Sequence, residues 1–389
     1  MGAFLHIAKR EIGILFSYKT NFVFTMLLPF VSLLFFNTLL LEGVPRDLPI
    51  AVVDFDKSAI SRNLIAQLEA TPELKVAYSP LTQKEGEALV RTGKIYGLVT
   101  IPNHFEKDLK QGKQTTIINQ FNGNLILPGG LEDKAFKQVV GTLSASVNIQ
   151  KQLKNGVLVK QAKANFQPIS ANNHVLSNPF TNYSYYLNSG FLTMFFQIFV
   201  ILTTIYSFGS DFKYHKGQKL YKISKGNTFV ILMGKTLPYT FWFFMVGLLM
   251  YFSMFVLQDF PLFGNKFALL AGLLLLIIAS QSFAVFFISI SKSLRQALTL
   301  GSGFAATSLS FSGITFPIFG MPPAMQWLSQ LFPFTHFFEL FLDQTQRGIP
   351  IYYSFYAIAA LVVLSMLPLL IGWAKLKNLI LKGGFQHRI

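Results

Sequence analysis

Apolar segments long enough to cross a lipid bilayer dominate this sequence, and they are spread unevenly along it. One lies at about 22–41, a polar block follows to about 186, and five more lie at about 187–208, 228–257, 267–290, 296–316 and 352–374. A helix needs about 20 apolar residues to cross the hydrocarbon core. The chain is 52% apolar and 13% charged, which leaves too little polar surface for an ordinary soluble globule. The pattern predicts an α-helical polytopic membrane protein with six transmembrane helices.

The basic residues indicate an orientation in the membrane. They concentrate before the first span, in the loop 209–226, between the fourth and fifth spans and in the tail 377–389, whereas the short loops on the other side contain Lys266 and Arg347. Under the positive-inside rule, both termini are expected in the cytoplasm and the polar block outside. The formal charge of +16 is thus dispersed rather than gathered on one soluble face, so we expect no nucleic-acid partner.

Residues 1–20 predict a helix that lies in the cytoplasmic membrane interface, ahead of a first transmembrane helix within 21–42. Apolar residues recur at three- and four-residue spacings between positions 4 and 16, while Lys9, Arg10 and Glu11 fall on other faces of the helix. Such a helix is typical of a segment that rests on the inner leaflet.

The polar block 43–186 predicts an extracytoplasmic α/β domain with a long helix. Strand patterns at 49–56, 74–80, 95–102 and 115–121 alternate with helix patterns at 58–69, 82–93 and 104–113. A longer helical stretch covers about 130–165, and 166–186 is a loop that returns to the membrane. This order implies a small mixed sheet. Because the sequence has no cysteine, the domain must be held together by packing alone.

A run of helix breakers interrupts the chain between the fifth and sixth spans. Gly313, Pro317, Gly320, Pro322, Pro323 and Pro333 fall within 311–336, where Trp327 and Leu328 lie on a short amphipathic helix. We therefore predict an outer re-entrant segment at 317–345. Broken backbone at membrane depth usually borders a cavity or pathway, whereas the alternative is an outer loop anchored by aromatic residues.

The triplet Gly234-Lys235-Thr236 is not a phosphate-binding loop. Position 229 is Phe where the motif requires Gly, and the triplet lies in an apolar helix rather than after a strand. Lys235 is about two turns from the start of the third span, and we interpret its long side chain as snorkelling to the headgroups.

The sequence resembles, over nearly its whole length, the permease subunits of type-2 ABC exporters in the branch with a large extracytoplasmic domain after the first span. The resemblance rests on motifs in the family's order: Asp54-Phe55-Asp56 with Ser58, Ile101-Pro102, Phe105 and Gly112, Gly234-Lys235 with Leu237-Pro238-Tyr239, Ser312-Gly313, Phe316-Pro317, Met321-Pro322, Trp327 and Pro333. The loop 209–226 departs from it, because Gly217-Gln218 and Lys219 stand where the family typically has Gly-Thr and an acidic residue.

The resemblance implies a permease that exports an amphiphilic or hydrophobic substrate, such as a drug or a lipid-like molecule, across a bacterial cytoplasmic membrane. It implies a homodimer or a pair with a similar permease chain, in contact with membrane lipid. It also implies an ABC ATP-binding subunit that supplies ATP and Mg. A periplasmic adaptor protein is left as an open question. Contact with the ATP-binding subunit is expected at Lys9, Arg10, Asp211, Lys213, Gly217 and Lys219. The pathway or outer gate is expected at Ser312, Gly313, Phe316, Pro317, Met321, Pro322 and Trp327.

The sequence offers no catalytic, cofactor or metal site of its own, so we do not expect an enzyme. His336, Glu339 and Asp343 are interpreted as a polar stripe on an amphipathic helix rather than metal ligands. Asp54 and Asp56 are interpreted as a turn after a strand. Two other functions stay open: an ion-driven secondary transporter, and a membrane-anchored assembly or binding protein that acts through its outer domain.

Overall fold

The structure, a computed structural model, describes residues 2–17, 19–166, 177–178 and 182–385. The chain divides into two compact units, one formed by Met1–Gly43 with Val175–Ile389 and the other by Val44–His174. We call the first the helical unit and the second the α/β unit. Most of the predicted loop 166–186 lies outside the described residues.

Five helices of the helical unit are long and apolar enough to cross a membrane, among the residues that the structure describes. They are the first span Lys19–Leu39, the second span Ser184–Lys213, the third span Thr228–Leu257, the fourth span Lys266–Ile290 and the last span Ile351–Leu381. Each matches a predicted span, with ends displaced by up to seven residues. The other helices of this unit are the N-terminal helix Gly2–Ser17 and the shorter Gly217–Ile223, Leu294–Ser308, Ile318–Gly320, Pro323–Ser329, Pro333–Leu342 and Asp343–Arg347.

Asparagine side chains begin two of the spans. Asn227 accepts hydrogen bonds from the backbone N–H groups of Phe229 and Val230, and Asn265 does the same at the start of the fourth span. The side-chain oxygen satisfies donors that the first helical turn leaves without an intrahelical partner. These caps explain why both spans start within a residue of the predicted position.

The sixth predicted span, 296–316, is not confirmed as a membrane-crossing helix. Its helical part, Leu294–Ser308, has 15 residues, and at 1.5 Å per residue it is shorter than a hydrocarbon core of about 30 Å. The segment nevertheless runs antiparallel to the second span along much of that helix. Leu294 packs on Gly209, Gly301 packs on Ile205 and Ile201, and Ile314 packs on Gly190. The count of six crossings stays a prediction.

The two ends of the helical unit carry different parts of the chain. We call the end that holds the N-terminal helix the terminal end, because Phe385 also lies there and donates its backbone N–H to the carbonyl of Phe212 at 3.2 Å. The opposite end, where the segment 311–347 lies, is the distal end.

The α/β unit contains one four-stranded sheet in the order β2-β1-β3-β4. The strands are β1 (Leu48–Asp54), β2 (Leu74–Tyr78), β3 (Gly97–Ile101) and β4 (Ile118–Phe121). Strand β1 pairs in parallel with β2 and β3, while β3 and β4 are antiparallel. The helices are Ala59–Glu69, Gln83–Arg91, Phe105–Gln111, Ile126–Lys154 and Val159–Phe166. The long helix Ile126–Lys154 buries Leu131, Phe136 and Leu143 in a core shared with β1 and β3.

The turn after β1 has the geometry expected from the sequence. Asp54 accepts hydrogen bonds from the backbone N–H groups of Asp56 and Lys57 at 3.0 and 2.9 Å. Ser58 caps the following helix by accepting the N–H of Ser61 at 3.1 Å. These bonds account for the polar residues at this turn without a catalytic role.

A carboxyl group is buried on the inner face of the long helix. Glu132 is fully buried, and one of its oxygens accepts a hydrogen bond from Asn119 at 3.1 Å. It lies against Gly97, where any side chain would collide with the carboxyl group. Burial raises the pKa of Glu132 to about 7, because the charged form loses its hydration.

Candidate functional site

Four ionisable side chains meet at the terminal end of the helical unit. They are Arg10 and Glu11 of the N-terminal helix, Asp211 of the second span and Lys235 of the third span. We call this group the charge cluster. Ile7, Glu11 and Leu15 recur at four-residue spacing and are the buried residues of the N-terminal helix. The prediction that Glu11 lies away from the apolar face is therefore wrong, because its carboxylate is turned inward to an ammonium group.

Lys235 is the centre of the charge cluster. Its Nζ lies 2.8 Å from a Glu11 oxygen and 2.7 Å from an Asp211 oxygen, and its side chain is 1% exposed. The interpretation that Lys235 snorkels to the headgroups is wrong, since two carboxylates hold its ammonium group inside the protein. Ion pairs at this depth compensate for the loss of hydration that an isolated charge would suffer.

Arg10 connects the charge cluster to the protein surface. Its guanidinium contacts both oxygens of Asp211, at 2.5 and 2.8 Å, and one oxygen of Glu11 at 2.8 Å. A two-bond contact of this kind fixes orientation as well as distance. The Arg10 side chain is 26% exposed, whereas those of Glu11 and Asp211 are buried. With two cations and two anions, the charge cluster has no net charge.

Two hydroxyl groups complete the charge cluster. Ser207 donates a hydrogen bond to the second oxygen of Glu11 at 3.0 Å, and Tyr239 donates to the same oxygen at 3.3 Å. Every carboxylate oxygen in the cluster therefore has a donor. A satisfied buried network favours one relative placement of the helices that contribute to it. Here it joins the N-terminal helix to the second and third spans.

A close helix contact accompanies the charge cluster. Gly234 faces the N-terminal helix, and a Cβ atom added there would lie 2.9 Å from Ile7. The absence of a side chain therefore allows the two helices to approach closely. The Gly234-Lys235 motif thus combines a contact surface with the buried cation.

The remaining residues predicted to contact an ATP-binding subunit are divided between surface and interior. Lys9 and Lys219 are exposed, and Lys213 is half-buried. Gly217 is buried, and its N–H donates to the carbonyl of Gly383 at 3.0 Å. The structure thus brings Arg10 and Asp211 together, while Gly217 packs against the chain that follows the last span.

A cavity of about 690 Å³ opens at the distal end of the helical unit. Four of the residues predicted for the outer gate line it, namely Ser312, Gly313, Pro317 and Trp327. Glu339, Arg347, Gln326 and Gln330 add polar groups to its wall. Phe316, Met321 and Pro322 do not line it. The breaker-rich segment therefore borders a cavity, and its role as a pathway or outer gate stays a prediction.

The predicted polar stripe on the helix Pro333–Leu342 has separate environments. His336 is buried and its Nε2 lies 2.9 Å from the carbonyl oxygen of Gln330. Asp343 accepts hydrogen bonds from Arg347 at 2.6 Å and Ser354 at 2.9 Å, whereas Glu339 faces the cavity. Within the described ranges, no group of three His, Cys, Asp or Glu residues could hold a metal ion.

An uncharged polar cluster at the distal end joins the first two spans to the residue that follows the third span, and the sequence interpretation missed it. Gln258 donates to Asn37 at 2.6 Å, Asn188 donates to Gln258 at 2.8 Å, and Ser184 donates to Gln258 at 2.5 Å. Ser184 and Asn188 lie in a π-helical turn, a rare local geometry that often marks functional positions. Amide residues at the ends of apolar spans are the sequence signal that could have indicated it.

The five apolar helices, several of them joined through buried polar contacts, define a multi-pass membrane protein. The chain belongs to the ABC-2 family of transporter proteins, whose sequence model matches residues 19–374. It is similar to the linearmycin resistance permease protein LnrN of Bacillus subtilis (strain 168), with 21% identity over 350 residues that cover 86% of this chain and 88% of the relative. These matches confirm the resemblance found in the sequence. The chain is thus an ABC transporter permease subunit, and its family implies an ATP-binding partner.

Proposed function

We propose that this permease exports an amphiphilic or hydrophobic substrate from the cytoplasm or the inner leaflet, as a dimer driven by separate ATP-binding subunits. The observation that carries the proposal is the charge cluster. It links a helix that starts at the terminus to two spans, and Arg10 extends it to the surface. A force applied to the N-terminal helix by a bound subunit would therefore reach the second and third spans directly.

A basic surface beside the charge cluster is the proposed contact for the ATP-binding subunit. Lys213, the last residue of the second span, is half-buried, and Lys216 and Lys219 on the connection to the third span are exposed. Such lysines also suit anionic lipid headgroups, so the experiment must separate the two roles.

Co-purification tests this contact. A tagged chain is purified in mild detergent at low salt, and the ATP hydrolysis that accompanies it is measured for the wild type and for the triple variant Lys213→Glu, Lys216→Glu, Lys219→Glu. We expect hydrolysis with the wild type and its loss in the variant. The control is Lys84→Glu, Lys94→Glu, Lys107→Glu, which reverses three exposed charges of the α/β unit. Absence of any ATP-binding subunit from the wild-type preparation would overturn the exporter proposal.

The proposed orientation places both termini in the cytoplasm of a bacterial cell and the α/β unit outside its cytoplasmic membrane. The chain has no cysteine, so single cysteines report their side of the membrane without background. Ser146→Cys in the α/β unit should react with a membrane-impermeant maleimide in intact spheroplasts. Lys222→Cys at the terminal end should react only after permeabilisation. The reverse pattern would invert the topology.

The distal cavity supports an exit role, because apolar and polar groups share its wall. Transport of an amphiphilic fluorescent dye by reconstituted proteoliposomes tests the substrate class. Chemical cross-linking between single-cysteine chains in the same vesicles tests the dimer. We expect that dye transport requires ATP hydrolysis by the ATP-binding subunits. We also expect cross-linked pairs of chains.

An ion-driven transporter is the second candidate, because buried ionisable residues often mark proton or ion routes. The charge cluster contains such residues, but its cations and anions are paired with one another. We therefore favour a fixed junction over a proton route. Dye transport that persists without ATP and stops when a protonophore collapses the pH gradient would favour the second candidate.

A further inference from the structure

A groove in the α/β unit plays no part in the transport proposal. It lies between the helix Phe105–Gln111, the segment 112–117 and the long helix Ile126–Lys154, and it encloses about 340 Å³. This volume is within the usual range of pockets for small molecules, roughly 300–1,000 Å³.

The floor and the rim of this groove differ in chemistry. The floor consists of side chains that also border the core of the unit, namely Phe105, Leu109, Ile117, Val140, Leu143 and Val147. The rim carries amide, hydroxyl and ammonium groups, and the lining contains Lys113 and Lys151 but no acidic residue. The groove is therefore amphipathic, with positive charge at its opening.

Two other lysines of this unit are held in ion pairs, whereas the two rim lysines are not, among the described residues. Lys110 and Lys137 each pair with a carboxylate one helical turn away, at 2.5 and 2.6 Å. Lys113 and Lys151 make no ion pair within the part of the chain that the structure describes.

One of these ammonium groups lies beside Gly112, at the end of the helix Phe105–Gln111. Gly112 has a left-handed φ of 74°, and a Cβ atom there would collide with Nζ of Lys151. The Lys151 ammonium therefore lies next to the residue that precedes Lys113. An anion bound at this opening would favour the charged form of an ammonium group beside it.

We propose that this groove binds a single-chain anionic amphiphile. Its carboxylate or phosphate would lie beside Lys113 and Lys151, and its alkyl chain would cover the apolar floor. Burial of the chain and charge-assisted hydrogen bonds to the head act together, so neither part alone should bind as tightly. One chain suits the volume better than the two chains of a phospholipid.

Calorimetric titration with octyl phosphate tests the proposal. The full chain is reconstituted in phosphatidylcholine nanodiscs, and the signal of empty discs is subtracted. Octyl glucoside serves as the probe with an uncharged head, and inorganic phosphate serves as the head without a chain. We expect saturable binding of octyl phosphate, and binding of both other probes at least about tenfold weaker.

Charge reversal supplies the first variant. Lys113→Glu with Lys151→Glu should weaken octyl phosphate binding by about tenfold or more for each lysine, because each loses a charge-assisted hydrogen bond. The matched control is Lys154→Glu with Lys160→Glu, which reverses two exposed charges that do not line the groove. Equal affinity in the wild type and the first variant would overturn the proposal.

Filling the groove supplies the second variant. Ser144 lines the groove and is exposed, whereas Ser146 is exposed on the same helix and does not line it. Ser144→Trp should abolish saturable binding and Ser146→Trp should preserve it. Hydrogen exchange of the sheet verifies that both variants are folded. Equal binding of octyl phosphate and inorganic phosphate would show that the groove is only an anion site and would also overturn the proposal. Displacement of octyl phosphate by discs that contain phosphatidylglycerol, a two-chain lipid, would overturn it as well.

Discussion

Replacing Lys235 with methionine should destabilise the helical unit because it leaves two buried carboxylates with one cation. The Lys235 ammonium contacts Glu11 at 2.8 Å and Asp211 at 2.7 Å, and the two carboxylates are 0% and 4% exposed. Removing one partner of a buried ion pair costs roughly 3–5 kcal/mol, since the other partner keeps its desolvation penalty. Lys235→Met should therefore lower the melting temperature by on the order of 10 °C.

A compensating substitution distinguishes charge from packing. Glu11→Gln added to Lys235→Met removes one anion as well and leaves Arg10 paired with Asp211. The double variant should regain roughly 2 kcal/mol, the usual size of coupling between residues in direct contact. Lost packing of the lysine stem would not be restored in this way.

Thermal unfolding in nanodiscs, followed by tryptophan fluorescence, measures both effects. Trp242 is a suitable reporter because its indole N–H donates to the carbonyl of Thr25 at 2.9 Å and so reports contact between the first and third spans. Lys266→Met is the control, since that lysine is exposed at the start of the fourth span. The reasoning is refuted if Lys235→Met unfolds like the wild type, or if Glu11→Gln fails to restore stability.

Three further predictions follow from other contacts. Gly234→Ala should destabilise the protein by about 1–3 kcal/mol through a clash with Ile7, and adding Ile7→Ala should relieve this destabilisation. The control Gly303→Ala, at a position with open space around it, should be neutral or stabilising. Thermal unfolding of each variant measures these effects. Because the folded pKa of Glu132 is raised from 4.5 to about 7, its contribution to stability is greatest below pH 4.5 and is lost as the pH rises to about 7, a loss of roughly 3 kcal/mol. The protection of the long-helix amides, taken as the ratio of the intrinsic to the observed hydrogen-exchange rate, should therefore be lower at pH 8 than at pH 5, and Glu132→Gln should abolish this difference. Trp327, which is 79% exposed beside the distal cavity, should be quenched by brominated lipids in a variant that keeps no other tryptophan; an unquenched signal would contradict a membrane-interface position.

The elements that the sequence predicted well depend on local chemistry. The ends of the third span agree with the prediction, because helix length, apolar composition and the Asn227 cap are all readable from adjacent residues. The same holds for β1 and its turn, where Ser58 and Asp54 form bonds within a few residues. The helix predicted at 296–316 is longer than the observed helix, because the residue pattern does not show that the backbone leaves the helix after Ser308.

The charge cluster was predicted only in part. Arg10 and Asp211 were selected through a family resemblance, whereas Lys235 and Glu11 were interpreted as surface groups because each was judged against its own helix. Their ion pair joins residues 224 positions apart. No periodicity within one helix contains information on such a partner.

Five long apolar helices among the described residues, and the sheet between the first two, follow from the residue pattern because hydrophobic burial and backbone hydrogen bonding act over one helix or strand at a time. The pairing of four charges inside the bundle follows from the packing of the N-terminal helix against the second and third spans. Electrostatic free energy depends on distance and burial in space, and both quantities exist only after these helices have come together.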